Sequence, residues 1–354
     1  MQEVLPELAL WKERGDRIAL ATVIAVQRSA PRPPGAKMAV NDRGEIAGSV
    51  SGGCVEGAVA EIADGVLRGN PPQLLHFGIA DSDAWDVGLP CGGEIDVWVQ
   101  AYEYDSHPPR FEEIARSGGR AAEVTVLEGA APGAKLLVEP DGVRSGSLGA
   151  PELDDEAAQM ADELLWAETS ERRGSLFVDV VGPAPRLIVF GAVDIAASLC
   201  SLARAAGWRA YVVDPRARFA TRERFPDAED VIAAWPEEAV AKLGGVDPAT
   251  SIVVLTHDPK LDDAALLLAL GSPARFIGAM GSRRAQAKRR ERLLELGLGE
   301  EDMERISAPV GLDLGAISRE ETSLSILAEI VAARHGRDGG RLANAKGRIH
   351  EVPA

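Results

Sequence analysis

Hydrophobic and polar positions follow two different patterns along the chain, and the pattern changes near Pro183-Ala184-Pro185. Before this point, apolar and polar residues alternate over short segments, which is typical of strands that bury one face. After it, short apolar runs such as Leu187-Ile188-Val189-Phe190 are separated by stretches of helical period. Strands that alternate with helices indicate a doubly wound parallel sheet. The pattern therefore predicts an α/β protein with an N-terminal α+β region followed by a Rossmann-like domain.

The N-terminal region contains a degenerate internal repeat, because several features return in one order. Each copy is expected to hold strands, a helix and a closing strand. The matching pairs are Gly35-Ala36-Lys37-Met38 with Gly133-Ala134-Lys135-Leu136, Gly48-Ser49-Val50 with Gly146-Ser147-Leu148, the helical stretches 58–67 with 154–165, and the strands 94–99 with 176–181. The second copy has Gly149-Ala150-Pro151-Glu152 where the first has a cysteine among glycines. We therefore expect the functional residues to lie in the first copy and the second copy to have a structural role only.

These patterns divide the chain into four predicted segments. They are a first repeat at 1–105, a second repeat that completes the N-terminal region at 106–183, a Rossmann-like domain at 184–336 and a flexible tail at 337–354.

Composition narrows the class of protein. The net charge of −17 argues against broad binding to nucleic acid, which requires a basic surface. No apolar run approaches the roughly 18 residues of a membrane span, so none is expected. The acidic N-terminus lacks the basic region of a signal peptide, and three cysteines in 354 residues suit a reducing compartment. We therefore expect a cytoplasmic protein.

Two of the three cysteines lie in glycine-rich loops, Gly52-Gly53-Cys54 and Cys91-Gly92-Gly93. Glycine lets the backbone bend and approach a ligand closely, whereas a structural cysteine usually lies among apolar residues. Cys54 precedes a predicted helix, and the unpaired amides at a helix start favour the thiolate. A thiolate attacks sulfur, binds soft metals or holds a persulfide. The alternative is that Cys54 is only a small residue in a tight turn.

Cys91 precedes the strand predicted to begin at Glu94. No second cysteine or histidine lies near it, so the spacing is not that of a zinc site, and no metal site is predicted. Whether the two loop thiols converge on one ligand is left open by the residues alone. Cys200 lies on a predicted helical stripe and is expected in the core.

The first strand of the Rossmann-like part leads into Gly191-Ala192-Val193-Asp194, the position of a dinucleotide-binding fingerprint. Only the first glycine matches, because Val193 stands where a second glycine would let the backbone approach a pyrophosphate. Asp214, at the end of the second predicted strand, is suited to bind a ribose hydroxyl. The missing glycine favours the alternative, a Rossmann-type sheet without a bound dinucleotide.

Three further loops are predicted at the same edge of the parallel sheet. Their candidate binding residues are His257, Gly278, Gly281, Arg283, Arg284 and Asp313. Glycine amides and arginines at a helix start suit an anionic phosphate. The basic stretch 288–292 fits a solvated helix face equally well, so it is not assigned to the site. His257 could act as a base, as a phosphate donor or as a structural residue.

These segments together resemble the XdhC/CoxI family, accessory proteins of molybdenum hydroxylases such as xanthine and carbon monoxide dehydrogenases. The resemblance covers most of the chain and rests on the linked order of its motifs. The cysteine-bearing loops resemble the CoxI-like branch more than XdhC proper. The motifs are residues 29–38, 48–57, 88–97, Thr256-His257-Asp258, 278–284 and 309–315.

The resemblance implies a maturation factor more than a stand-alone enzyme. Such a protein binds the molybdenum cofactor, a pterin phosphate that carries molybdenum, supports its sulfuration, and presents it to a client molybdenum hydroxylase. The implied sulfur source is a partner cysteine desulfurase, and we expect a homodimer. In this role the sulfur chemistry belongs to Cys54 and Cys91. The residues implied in cofactor binding are Gly52, Gly53, Gly92, Gly93, Gly191, Asp214, His257, Gly278, Gly281, Arg283, Arg284 and Asp313.

The chain departs from the family at one position. The family usually has Gly-Ala-Gly-His where this chain has Gly191-Ala192-Val193-Asp194, so both the second glycine and the histidine are absent. This departure argues against an inherited nucleotide or cofactor contact at that loop. Two other interpretations of the whole chain stay open. One is an NAD(P)-dependent oxidoreductase that uses Asp214, and the other is a non-catalytic scaffold that bridges a desulfurase and a hydroxylase.

Overall fold

A computed structural model describes residues 1–28, 31–78, 93–102 and 109–344. The chain divides into two compact units, with the change of unit between Pro183 and Ala184. The first unit holds two antiparallel sheets and the second holds one parallel sheet, as the alternation of polar and apolar residues predicts.

The first sheet of the first unit has five antiparallel strands in the order β3-β2-β1-β5-β4. Helix α2 packs its buried side chains, among them Val59, Ala63 and Val66, on one face of this sheet. The elements are α1 (Leu5–Arg14), β1 (Ile18–Gln27), β2 (Lys37–Asn41), β3 (Ile46–Gly48), α2 (Glu56–Leu67), β4 (Gln73–Phe77) and β5 (Glu94–Tyr102).

The second sheet repeats this topology, with the order β8-β7-β6-β10-β9 and antiparallel pairing throughout. Helix α4 covers it through Ala158, Ala161 and Leu165. The two copies predicted from the sequence are therefore two structural repeats. The elements are α3 (Pro109–Ser117), β6 (Ala121–Val126), β7 (Lys135–Val138), β8 (Arg144–Gly146), α4 (Pro151–Ala167), β9 (Glu171–Arg173) and β10 (Leu176–Val181).

The repeats meet through a buried ion pair and an apolar cluster. The Nζ atom of Lys37 in the first repeat lies 2.7 Å from a carboxylate oxygen of Asp179 in the second, and both side chains are nearly inaccessible to solvent. A buried charge pair of this kind tolerates the loss of neither partner, because the remaining charge would be uncompensated. The apolar cluster joins the repeats through Ile24, Trp98, Leu127 and Phe177.

The second unit is a six-stranded sheet of parallel strands in the order β13-β12-β11-β14-β15-β16. The order reverses between β11 and β14, which is the point where Rossmann-type sheets open a crevice for ligands. The elements are β11 (Arg186–Phe190), α5 (Asp194–Ala205), β12 (Arg209–Val213), β13 (Asp230–Ile232), α6 (Pro236–Lys242), β14 (Thr250–Val254), α7 (Pro259–Leu270), β15 (Phe276–Ala279), α8 (Arg283–Glu295), α9 (Glu300–Glu304), β16 (Ile306–Ser307) and α10 (Arg319–Arg334).

Helices cover both faces of this sheet. One face packs against α5 and α10 through residues such as Leu199 and Ile326, and the other against α7 through Leu266 and Ala269. The strands are buried on both sides, which explains their continuous apolar runs. Because all six strands run in one direction, the loops that follow them lie at one edge of the sheet.

After α10 the described chain ends in a short 3₁₀ turn, Leu342–Asn344. The part of the predicted tail at 345–354 lies outside the described residues. Among the described helices, none is both long enough and apolar enough to cross a membrane.

Candidate functional site

Cys54 lies in the loop between β3 and α2 and is half-buried, with part of its side chain against the core of the first repeat. Gly53 precedes it with φ of +112°, a backbone conformation that side chains with a Cβ atom rarely adopt. A Cβ atom at Gly53 would meet no other atom within 4 Å. Glycine is therefore required here by the backbone turn and not by close packing.

The carboxylate of Glu56, the first residue of α2, holds this loop in place. It accepts hydrogen bonds from the hydroxyls of Ser49 and Ser51, each at 2.6 Å, and from the amide of Gly53 at 2.9 Å. Burial opposes ionisation of Glu56, but the bonds from Ser49 and Ser51 outweigh it and lower the pKa of its carboxyl to about 2. We call Ser49, Ser51 and Glu56 the carboxylate clamp.

The clamp occupies the amides that were expected to be unpaired beside the thiol. The Cys54 amide donates to the Ser51 hydroxyl at 2.9 Å, and the Val55 amide donates to the same oxygen at 3.0 Å. The expectation of unpaired amides next to Cys54 is therefore wrong for these two residues. Side chains within the loop accept the hydrogen bonds of its backbone amides, and Cys54 lies in a turn that these bonds hold in place.

The second repeat has an equivalent of the clamp. The spacing that separates Glu56 from Asp154 also separates Ser49 from Ser147, and Asp154 accepts from the Ser147 hydroxyl at 2.8 Å and from the Leu148 amide at 2.6 Å. By the same spacing, Glu152 stands where the first repeat has Cys54. The fold thus uses a carboxylate and a serine in both copies, whereas the thiol is special to the first.

The other cysteines have different surroundings. Cys91 and Gly92 lie outside the described residues, so whether the two loop thiols converge on one ligand stays open. Gly93 is buried immediately before β5. Cys200 is buried in the core of the second unit, as predicted, and burial raises the pKa of its thiol to about 12.

In the second unit, Gly191 directly follows β11, at the point where the strand order reverses. Its φ is +114°, and a Cβ atom there would lie 2.9 Å from the Thr256 amide nitrogen, which follows β14. Only glycine fits, because the loop after β11 lies against the backbone of the loop after β14 at this residue. This closeness accounts for the first glycine of the partial fingerprint without a ligand.

Asp214, predicted to bind a ribose hydroxyl, is completely buried and already hydrogen-bonded. One oxygen accepts from the Ala192 amide at 2.9 Å and from the Arg216 guanidinium at 2.7 Å, and the other accepts from the Arg216 amide and Nε atom, each at 2.9 Å. Burial opposes ionisation, but the bonds from Arg216 and Ala192 keep the pKa of Asp214 below its usual value. Asp214 therefore has a structural role, because it joins the loop after β11 to the segment after β12.

The first position of α5 is also unlike that of a pyrophosphate site. Asp194 begins the helix, is exposed, and pairs with Arg224 at 3.1 Å. A carboxylate at a helix start repels an anion that the helix dipole would otherwise attract. Together with Val193, this residue makes the crevice a poor fit for a diphosphate, and it gives little support to the oxidoreductase interpretation.

The remaining predicted residues divide between the surface and the interior. His257 follows Thr256 at the end of the fourth strand and is exposed. Gly278 lies inside β15, where a Cβ atom would be 2.5 Å from Val310, so its small size serves packing. Asp313 is exposed in the loop after β16. Glu329 of α10 holds this loop by accepting a hydrogen bond from the Gly311 amide at 2.5 Å.

Gly281, Arg283 and Arg284 lie where β15 leads into α8. Both arginines are exposed, and Ser282 caps the helix by accepting from the Ala285 amide at 3.2 Å. The structure thus brings this loop to the same edge of the sheet as Gly191 and His257. Cys54 belongs to the first unit.

The basic stretch of α8 is not a uniform solvated face. Arg289 is buried, pairs with Asp262 of α7 at 2.6 Å, and donates to the Met280 carbonyl at 3.0 Å. It therefore ties the loop that contains Gly281 to the neighbouring helix. The other basic residues of this stretch fit a solvated face, since Lys288 and Arg290 are exposed and Arg292 is half-exposed.

Sequence reasoning missed the clamp and Arg289. The clamp does not have the spacing of a capping box, because Glu56 is the first residue of α2 and its N-cap, Val55, makes no side-chain cap, so no standard sequence signal marked it. Burial of Arg289 could not be predicted from the residues near it in sequence, because its partner, Asp262, lies on another helix. Across the described ranges, no group of three or more His, Cys, Asp and Glu side chains is arranged to hold a metal ion.

Comparison with known proteins gives two curated relatives of nearly the same length. A protein from Bacillus subtilis, described as a probable subunit of xanthine dehydrogenase, is 29% identical over 91% of this chain and 94% of its own. The molybdenum cofactor insertion chaperone PaoD from Escherichia coli is 28% identical over 90% of this chain and 84% of its own. A third relative, the uncharacterized protein YqeB from Escherichia coli, is 23% identical, and the match covers 47% of its length.

A solved structure has the same fold. The protein described as a xanthine dehydrogenase from Bacillus halodurans superposes with a TM-score of 0.65 at 24% identity, over 96% of this chain and 97% of that one. Two family models also match: the XdhC and CoxI family over residues 11–78 and 114–174, and the XdhC Rossmann domain over residues 187–330. The two models match segments of both repeats and most of the parallel-sheet unit. This chain therefore belongs to the XdhC/CoxI family and has an XdhC Rossmann domain as its second half.

Proposed function

We propose that this protein is a maturation factor that binds the molybdenum cofactor as cargo. It supports sulfuration of the cofactor and presents it to a molybdenum hydroxylase of the xanthine or carbon monoxide dehydrogenase type. Family membership supports this role, and a relative that aligns over 90% of the chain is named as a molybdenum cofactor insertion chaperone. In this proposal the cofactor is a substrate to be delivered.

The observation that carries the proposal is the Cys54 loop. The second repeat keeps a serine and a carboxylate in the clamp position but has Glu152 in place of the thiol. A clamp of this kind therefore forms without a cysteine. In the second repeat α4 begins at Pro151, so Glu152 lies inside that helix. The sulfur of Cys54 is half-buried in a loop whose backbone is held by Ser51 and Glu56. A soft sulfur ligand in such a loop suits a soft metal centre.

The same thiol can carry sulfur. The Cys54 thiolate attacks the outer sulfur of a persulfide on the cysteine desulfurase, a sulfur–sulfur bond forms at Cys54, and the desulfurase thiolate leaves with the electron pair. The transfer needs no external oxidant. The clamp contributes by fixing the loop, so that little conformational freedom is lost when the partner docks.

Several sequence-based expectations belong to this proposal. The partners are a client molybdenum hydroxylase and a cysteine desulfurase, and the protein acts in the cytoplasm as a homodimer without nucleic acid. Cys91 and its glycines would complete the thiol site. The loop with Arg283 and Arg284, both exposed at the start of α8, offers cationic donors for the phosphate of the pterin.

The test is anaerobic binding of isolated molybdenum cofactor, read as molybdenum and pterin fluorescence that co-elute with the protein on gel filtration. Wild type is expected to retain the cofactor in near-stoichiometric amount. Cys54→Ser keeps the size of the side chain but removes the soft ligand, and it is expected to lose most of the bound molybdenum. Maturation of a co-expressed hydroxylase, read as its cyanide-labile sulfur, should fall with it.

The control is Cys200→Ala, which removes a thiol buried in the other unit and should retain the cofactor. Failure of wild type to retain any cofactor would contradict the proposal. Normal binding and normal client maturation by Cys54→Ser would show that the thiol has no part in it.

A further inference from the structure

Three arginine side chains surround one phenyl ring in the segment that follows β12. The guanidinium carbons of Arg216 and Arg218 each lie 4.8 Å from the centre of the Phe219 ring, and that of Arg224 lies at 5.8 Å. We call these four residues the arginine cluster. Guanidinium groups over an aromatic ring keep their charge and their hydrogen-bond donors, and stacking limits their motion.

The cluster lies beside the loop that follows the first strand. Arg224 donates to the carbonyls of Ala192 and Phe219, each at 3.0 Å, and pairs with Asp194 at 3.1 Å. It thereby joins the segment after β12 to the start of α5. In a Rossmann-type sheet this place, next to the reversal of strand order, receives the ribose of a bound nucleotide.

The charges in the cluster are only partly balanced. Arg216 has Asp214 as its partner at 2.7 Å and Arg224 has Asp194. For Arg218, which is exposed, the described part of the chain supplies no ion pair. Arg218 is therefore the guanidinium of the cluster that keeps its charge available for an anion from outside the chain.

The state of Asp214 determines which anion fits. An acid at the end of the second strand binds the ribose 2′-hydroxyl when it is free to accept, whereas a nearby arginine accommodates a 2′-phosphate. Here both oxygens of Asp214 already accept hydrogen bonds from Ala192 and Arg216. The carboxylate is buried and neutralised, so it neither binds a hydroxyl nor repels a phosphate.

We propose that the arginine cluster binds the ribose phosphate monoester of a nucleotide, with Arg218 as the phosphate donor. The ligand class is a nucleotide that carries a phosphate on its ribose, and Val193 and Asp194 disfavour close binding of a pyrophosphate beside it. The arginine cluster belongs to the second unit and Cys54 to the first, and the proposal does not depend on the molybdenum role. In this proposal the second unit is a nucleotide-binding domain.

The experiment is calorimetric titration of the full chain with adenosine 2′,5′-bisphosphate, adenosine 5′-monophosphate and inorganic phosphate. The bisphosphate is expected to bind at least about tenfold more tightly than the monophosphate, because a charge-assisted contact is added. Arg218→Gln should weaken the bisphosphate by about tenfold and leave the weak binding of the monophosphate unchanged. Arg218→Lys, which keeps the charge but not the planar fork, should lose part of the affinity.

Arg222→Gln is the matched control, because it removes a positive charge from the same segment. The Arg222 guanidinium donates to the Glu229 carbonyl at 3.0 Å, so this variant should bind like wild type. Equal affinity for the two nucleotides would overturn the proposal. So would equal losses in Arg218→Gln and Arg222→Gln, since these would indicate a general effect of charge, and so would no detectable binding of the bisphosphate by wild type.

Discussion

At the scale of single residues, the sequence predicted the position of the Cys54 turn correctly but not the hydrogen bonding of its backbone amides. The glycines around Cys54 do mark a turn before a helix. The amides of that turn are not left for the thiol, because Ser51 and Glu56 accept their hydrogen bonds. The side chain that organises the loop is therefore Glu56, two residues beyond the cysteine.

Replacement of Glu56 by Gln should destabilise the protein by about 2 kcal/mol at neutral pH, the typical value of hydrogen bonds to a charged acceptor. The pKa of Glu56 is lowered in the folded state from 4.5 to about 2. Its stabilising effect is thus complete above the unfolded pKa and is lost as the pH falls through the folded one. The difference between wild type and Glu56→Gln in urea unfolding should therefore shrink between pH 4.5 and pH 2.

The control for this prediction is Glu152→Gln, an exposed carboxylate near the start of α4. It should change stability by less than about 0.5 kcal/mol, as surface substitutions usually do. A Glu56→Gln variant that matched wild type at neutral pH would show that the clamp does not stabilise the loop.

At the scale of elements, α8 carries the sharpest difference between prediction and structure. From the sequence, its basic stretch is equally compatible with a phosphate site and with a solvated face. In the structure one arginine of the stretch turns inward, and the pair of Arg289 with Asp262 joins α8 to α7. This pair also supports the loop with Gly281, since Arg289 donates to the Met280 carbonyl.

Replacement of Asp262 by Asn should cost about 3–5 kcal/mol, because it leaves the buried Arg289 charge without its partner. Thermal and urea unfolding measure the loss. The matched control is Arg290→Gln, which breaks an exposed pair with Glu300 and should cost at most about 1 kcal/mol.

A double variant separates the ion pair from packing. Asp262→Leu with Arg289→Met removes both charges and keeps apolar volume, and it should recover most of the lost stability. Equal effects of Asp262→Asn and Arg290→Gln would mean that the buried pair contributes no more than an exposed one.

At the scale of the whole molecule, the chain consists of two units with separate apolar cores. The cores of the first unit lie under α2 and α4, and those of the second lie on the two faces of the parallel sheet. A unit with its own core can fold alone if it buries enough apolar surface, which chains of about 150 residues or more usually do. We therefore propose that the boundary near residue 183 separates two folding domains.

Fragments 1–183 and 184–344 test this directly. Each is expected to show a cooperative thermal transition, and circular dichroism should show more helix in the second fragment. The second fragment should also retain the binding of adenosine 2′,5′-bisphosphate expected of the full chain. A 184–344 fragment that lacks a transition while the full chain unfolds cooperatively would contradict the independence of the domains.

The sequence by itself determined the two classes of sheet, the repeat and the position of the cysteine turn. These features depend on periodicity and on the residues that flank a turn, which are local and follow the order of the chain. Lys37 and Lys135 keep the same spacing as Glu56 and Asp154, because both copies build the same strands and the same serine–carboxylate contact.

Only the tertiary structure decided which polar groups are already engaged. Asp214 was expected to face a ribose, yet its oxygens accept hydrogen bonds from Ala192 and Arg216, and Arg289 finds its partner on a different helix. Such pairings join segments that are distant in sequence, and burial determines their strength. A linear pattern identifies residues that can bind, but the packing of the chain determines which of them remain free to do so.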